Sequence, residues 1–228
     1  MKKVILFNLL LATCFLIPLS QSVVANESPP KIQATLQQLK KNSGGTLEIN
    51  WNNVTNTPFK LTGKLTLPSK HSPEWIAYEF LYKWRTLYGL QNPKRDMKVI
   101  EVERRHDIIN VRLQHLLFRT PVWEDWLVIE IRNDGVIQQI EGTIHPYLEK
   151  QLFNRPMHPA ISKKQAIGIA RANVQGELAN APEVETYYLS ARSGTPLIYA
   201  VTLQHFRPDR RTTILIHSVT GRIIEHNN

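Results

Sequence analysis

From Met97 to Ile144 the sequence reads as one strand after another, and no other feature constrains the fold as much. Met97–Glu103, Ile108–Phe118 and Trp126–Arg132 carry the β-branched and aromatic residues of strands, and Asn133-Asp134-Gly135 is a strong reverse-turn signal into Val136–Ile144. The spacing predicts a four-stranded antiparallel meander. Ahead of it, Ser72-Pro73 opens a helix, because serine caps free N–H groups and proline suits the first helical position. This helix is predicted to run to Tyr88 and stop at Gly89. At about 100° per residue, Ile76, Ala77, Phe80, Leu81, Trp84, Leu87 and Tyr88 gather on one side as a core-facing stripe. Trp75, Tyr78 and Tyr82 gather nearly opposite. A second aromatic face on a solvated helix calls for cover, from the chain itself or from a partner.

On either side of this block the text is simpler. Pro29–Lys41 is a helix candidate with Ile32, Leu36 and Leu39 on one side, and Asn42-Ser43-Gly44-Gly45 breaks it. Strands are predicted at Thr46–Trp51 and Phe59–Leu67. His145–Pro159 holds three prolines and little periodicity, the composition of a link between two lobes. Ser162 then caps a helix through about Val174, followed by strands at Glu183–Ala191, Pro196–Phe206 and Thr212–Val219, the turn Thr220-Gly221 and a short strand Arg222–Glu225. Helices segregated from antiparallel strands, twice over, define an α+β architecture of two lobes, each a helix packed on an antiparallel sheet. The expected divisions are a signal peptide at 1–25, an N-terminal helix and flexible break at 26–45, a first lobe at 46–145, a linker at 146–161 and a second lobe at 162–228.

The signal reading rests on Lys2-Lys3, the nearly unbroken apolar run Val4–Val24, and Val23-Val24-Ala25 as a small-residue cleavage site. The protein is thus expected to be exported, periplasmic or extracellular. Its 228 residues carry a formal charge of +9; two lysines and no acid leave with residues 1–25, so the remaining 203 keep +7. The only cysteine, Cys14, leaves as well, unless it is the lipid-bearing cysteine of a lipoprotein signal. Without it no disulfide can form, and beyond the signal no apolar run approaches the roughly 18–20 residues of a membrane-spanning helix. Two hundred residues bury a real core unaided. A disulfide miniprotein, a membrane protein and a disordered tail are therefore excluded.

Catalytic patterns do not accumulate. There is no H-E-x-x-H, no G-x-S-x-G and no glycine-rich phosphate cradle, and the mature chain has no thiol nucleophile. His106, His115, His205 and His217 lie in predicted strands or at their edges, at separations that fit no zinc pattern. No cofactor, metal site or catalytic residue is expected, and the protein is read as non-enzymatic. Arg104-Arg105 and Arg207, Arg210-Arg211 fall at strand ends and turns, where charge is solvated, so nucleic acid is not expected as a partner. Positive charge is better used to attract an acidic protein surface or an anionic envelope.

Several patterns, taken in order, carry a resemblance. Trp51-Asn52, Thr57-Pro58, Leu61-Thr62-Gly63-Lys64-Leu65-Thr66 and a helix from Ser72-Pro73-Glu74 to Leu87-Tyr88-Gly89-Leu90 resemble the start of the propeptide of thermolysin-type secreted metalloproteases. Val111-Arg112-Leu113-Gln114, Pro121-Val122, Leu127–Ile131 and Asn133–Ile137 look like its FTP domain. Ser162-Lys163-Lys164-Gln165-Ala166, Leu197–Val201 and Val219–Ile224 look like the PepSY domain that follows. The sequence departs from the pattern at Asn110, where a histidine is usual, at His115 for a glutamine, around Arg119-Thr120 for a glycine, and at His217 for an aspartate.

The resemblance implies a propeptide-like protein without its catalytic domain, which binds a thermolysin-type metalloprotease in trans as inhibitor, folding helper or both. Candidate contacts are Trp75, Tyr78 and Tyr82, and the tail Glu225, His226, Asn227 and Asn228, whose carboxylates or imidazole could fill the open position of a catalytic zinc. The other reading keeps the fold and drops the protease: an envelope or extracellular PepSY-type binding module. Oligomeric state is left open.

Overall fold

A computed structural model describes residues 30–206 and 209–225. The expected signal segment with Cys14, the Arg207-Pro208 part of the basic turn, and His226, Asn227 and Asn228 of the tail lie outside the described residues. The fold is α+β. Helix α1 (Pro30–Asn42) precedes the hairpin β1 (Glu48–Asn52) and β2 (Thr57–Thr62); α2 (Pro73–Lys83), a 3-10 turn at Arg85–Tyr88 and the short α3 (Pro93–Asp96) follow. Strands β3 (Met97–Arg105), β4 (Ile108–Leu117), β5 (Thr120–Arg132) and β6 (Ile137–Thr143) form the expected meander, all antiparallel. β2 pairs with the free side of β6, Lys60 opposite Glu141, so the first sheet runs β1-β2-β6-β5-β4-β3.

Period-two alternation decides which face of this sheet is buried. Val111 and Leu113 of β4, Leu127, Ile129 and Ile131 of β5, and Ile137 and Ile140 of β6 point to one side and meet Ile76, Ala77, Phe80 and Leu81 of α2 and Trp84 just after it. Each large aliphatic side chain contributes about 1.5–3 kcal/mol on burial, so packing rather than helix propensity holds α2 in place. Ser72 caps it, its hydroxyl oxygen accepting the Trp75 N–H, with Pro73 at the first position. The α-helix does not continue to Tyr88 as the sequence predicts. It ends at Lys83, Trp84 leaves helical geometry at φ −111°, and the tighter 3-10 turn carries Leu87 and Tyr88 into the core beneath it before Gly89 stops the chain at φ 64°. The Asn133–Gly135 turn forms as expected, Gly135 at φ 82° donating its N–H to Arg132 O at 2.8 Å.

The segment after β6 contains α4 (Leu148–Gln151), and α5 (Lys163–Ala172) starts at a complete capping box made by Ser162 and Gln165. Strands β7 (Glu183–Tyr188), β8 (Leu197–His205), β9 (Arg210–His217) and β10 (Ile223–Ile224) pair in order, antiparallel. Ala166 and Ala170 are small enough for α5 to lie close on Tyr199, Val201, Leu203 and Ile216. One parallel bridge, Val122 to Tyr188, joins the two sheets. Around it Leu117, Val122, Leu148, Tyr188 and Leu197 form a separate apolar cluster. The proline-rich stretch is packed into this junction: Leu148 is buried, the Met157 N–H donates to the Tyr188 hydroxyl at 2.9 Å, and Thr195 Oγ1 donates to Gln151 Oε1 at 2.9 Å.

Candidate functional site

The three aromatics expected on the outer face of α2 do not share one surface. Tyr78 turns aside, packs against the core and donates its hydroxyl to Met97 O at 3.1 Å. Trp75 and Tyr82 stay 43% and 58% exposed. Seven residues apart, they line the same groove of about 690 Å³ with Leu67, which is 75% exposed, and with Phe80 and Trp84. Their orientation is held by neighbours: His71 lies 3.9 Å from the Trp75 ring centroid, and the Arg85 guanidinium sits 4.8 Å above the Tyr82 ring while donating to Tyr82 O. Rigid aromatics beside an arginine are the composition of a protein-binding hot spot.

A polar constellation that the sequence does not announce lies at the junction of the sheets. Asp125 is buried, 1% exposed, yet its carboxylate accepts four hydrogen bonds. They come from His115 Nδ1 at 3.0 Å, His145 Nδ1 at 2.6 Å, the His145 backbone N–H at 2.7 Å and Ser190 Oγ at 3.1 Å. Three of these partners belong to the first sheet and its exit; Ser190 follows β7 of the second. Asp125 faces inward in phase with Leu127, Ile129 and Ile131, and β5 bulges just before it: Glu124 takes φ 59°, and four residues, Val122–Asp125, stand opposite His115 alone. Gln114 Nε2 satisfies the loosened carbonyls of Val122 and Asp125 at 2.7 and 2.9 Å.

Burial works against the charged form of Asp125, but the hydrogen bonds from His115 and His145, and then the charges of those rings, outweigh it and hold the carboxyl at about 2 against an ordinary 3.8. A folded pKa below the unfolded one means stability that is complete above about pH 4 and is lost as the pH falls toward 2. That share is on the order of 2 kcal/mol. In urea titrations, the stability gap between wild type and Asp125→Asn, whose side chain cannot titrate, should shrink by about this amount from pH 5 to pH 2. A gap that stays constant would contradict the assignment.

The tail candidate is described only as far as Glu225, which is exposed and whose backbone carbonyl accepts from Arg192 Nη2 at 2.9 Å. His217 does the work of a turn-forming acceptor: its Nδ1 takes the N–H groups of Val219 and Thr220 at 3.2 and 3.3 Å, which shapes the Thr220-Gly221 turn into β10. Among the described residues no group of three or more histidines, cysteines or acids is placed to hold a metal, and no helix is long and apolar enough to cross a membrane.

Comparison with known proteins agrees with the sequence patterns. Bacillolysin of Bacillus cereus is 25% identical over 166 residues, 69% of this chain and 29% of that protein. Thermolysin of Alicyclobacillus acidocaldarius subsp. acidocaldarius and thermolysin of Bacillus caldolyticus are each 26% identical over 176 residues, 76% of this chain and 30% of theirs. The chain thus spans under a third of the length of these curated relatives. No protein-family model matches it. Among solved structures, the Bacillus megaterium YpeB C-terminal domain aligns over 89% of this chain and 99% of its own, at 12% identity and a TM-score of 0.38. The chain is therefore similar to thermolysin-type proteins over most of its length, with the propeptide-like patterns quoted above.

Proposed function

We propose that this is a non-enzymatic exported protein that binds a thermolysin-type zinc metalloprotease in trans, as an inhibitor, a folding helper or both. The observation that supports this most is the similarity to bacillolysin and thermolysin, which extends over 69% and 76% of the chain. The propeptide-like order of motifs from Trp51 to Ile224 supports the same reading, with an FTP-like lobe at 46–145, a linker at 146–161 and a PepSY-like lobe at 162–228. The signal-like residues 1–25 support export.

The groove of Trp75, Tyr82 and Leu67 is the contact we assign to the protease surface, because it exposes three large apolar side chains together. Tyr78 contributes by fixing α2 on β3. Residues Glu225–Asn228 are the second assigned contact. The test is inhibition: purified protein is titrated into a thermolysin-type protease cleaving a short fluorogenic peptide. Saturable inhibition with the added protein intact supports the reading. An intact protein that inhibits nothing, and does not raise the yield of active protease on refolding, transfers the fold to an envelope binding module.

A further inference from the structure

The turn between β4 and β5 is two residues long, Phe118-Arg119, closed by the pair Leu117 and Thr120. Both residues take left-handed backbone angles, φ 50° and φ 69°. Such turns favour asparagine and glycine there, since a Cβ crowds the following carbonyl. Phe118 is compensated, its ring meeting Tyr188 edge-on at 6.3 Å in the junction cluster. Arg119 is not: it is exposed and, among the described residues, makes no hydrogen bond or ion pair.

Arg119 lines a cleft of about 660 Å³ with Leu116, Phe118, Arg95 and Lys150. The two acids of this cleft are already engaged. Asp96 accepts Arg95 Nε at 2.7 Å and the backbone N–H groups of Gln91 and Asn92 at 2.9 and 2.8 Å, and Glu149 accepts Arg95 Nη2 at 3.1 Å. Among the described residues the Lys150 ammonium meets only the Tyr147 ring, 5.0 Å from its centroid. Three cations face two acids, and both acids belong to Arg95.

We propose that this cleft recognises a single carboxylate on a partner polypeptide, held by the Arg119 guanidinium with Lys150 as the second cation. The paired N–H groups of guanidinium match a carboxylate in its plane. The surplus of one positive charge balances one carboxylate rather than a doubly charged phosphate, and Leu116 and Phe118 offer apolar surface to the methylenes of a glutamate. The strain at Arg119 then has a use, because backbone strain persists where function holds it. This goes beyond the protease reading and needs neither protease nor zinc.

The test is an NMR titration of the purified protein with an acetylated, amidated Leu-Leu-Glu-Leu-Leu pentapeptide, which carries one carboxylate, alongside its glutamine counterpart and inorganic phosphate. Glutamate peptide should shift the Arg119 Nε–H and the amides of 118–120 saturably, and the glutamine peptide should not. Arg119→Gly should weaken binding at least about tenfold, equivalent to about 1.4 kcal/mol, and should raise the melting temperature by removing the strain. Arg104→Gln, an exposed arginine elsewhere, should leave binding unchanged. Equal binding by Arg119→Gly, equal shifts with phosphate, or a lower melting temperature in Arg119→Gly would overturn the proposal. Because no protease is present, such a failure leaves the inhibition result standing on its own.

Discussion

Asp125→Ala is expected to destabilise the protein by about 3–5 kcal/mol, because it removes a buried charge while its partners stay behind. His115 Nδ1, the His145 ring and backbone N–H, and the Ser190 hydroxyl all lose their acceptor, in a place with little water to replace it. For a chain of this length that loss lowers the melting temperature by roughly 10 °C or more, measurable by calorimetry. Ser190→Ala is the useful contrast. It removes one donor and leaves the carboxylate three others, so about 1 kcal/mol is expected. Because Ser190 follows β7, that smaller loss should loosen the second sheet first, visible as faster amide exchange in β7 and β8 than in β5. A melting temperature in Asp125→Ala within a degree or two of wild type would mean that the junction is held by Leu117, Val122, Leu148, Tyr188 and Leu197 alone.

The second large effect is expected at the groove on α2. Changing Trp75 and Tyr82 together to serine should weaken protease binding by about thirtyfold or more, the scale of a hot spot worth about 2 kcal/mol. Both side chains lie at the surface, 43% and 58% exposed, so the melting temperature should move little. Tyr78→Phe supplies the internal comparison: it loses the hydrogen bond to Met97 O, about 1 kcal/mol of stability, and should keep binding. If the double serine variant binds as wild type while unfolding normally, the groove is not the contact.

The meander was legible because its signals are local. β-branched runs and Asn133-Asp134-Gly135 need no distant partner to be read, and the same holds for Ser72-Pro73 and the Ser162 to Gln165 box. Where β1 and β2 attach was not legible, since docking on β6 is decided by packing across the sheet rather than by either hairpin. The start of β5 was hidden by the Glu124-Asp125 pair, which interrupts strand text that in fact begins at Thr120. His115 did carry a signal: it is in phase with buried Val111, Leu113 and Leu117. Asp125 carried the same signal, in phase with buried Leu127, Ile129 and Ile131, but the folded chain alone brings His115, His145 and Ser190 to it. Helical periodicity placed Trp75, Tyr78 and Tyr82 on one arc, but the reach of β3 toward Tyr78 divides them. Glu225 was legible only as a terminus, and its carbonyl contact with Arg192 comes from the fold.

The most direct measurement of the central claim is the inhibition constant of the purified protein against a panel of thermolysin-type proteases, with a short fluorogenic peptide as substrate and gel analysis of the added protein. A small substrate avoids competition between two folded proteins for the same cleft. Saturable inhibition below micromolar concentration is expected, with the protein uncleaved and the Trp75/Tyr82 serine variant displaced to higher concentration. Full protease activity at every concentration, with the protein intact and no gain in active protease on refolding, would contradict it.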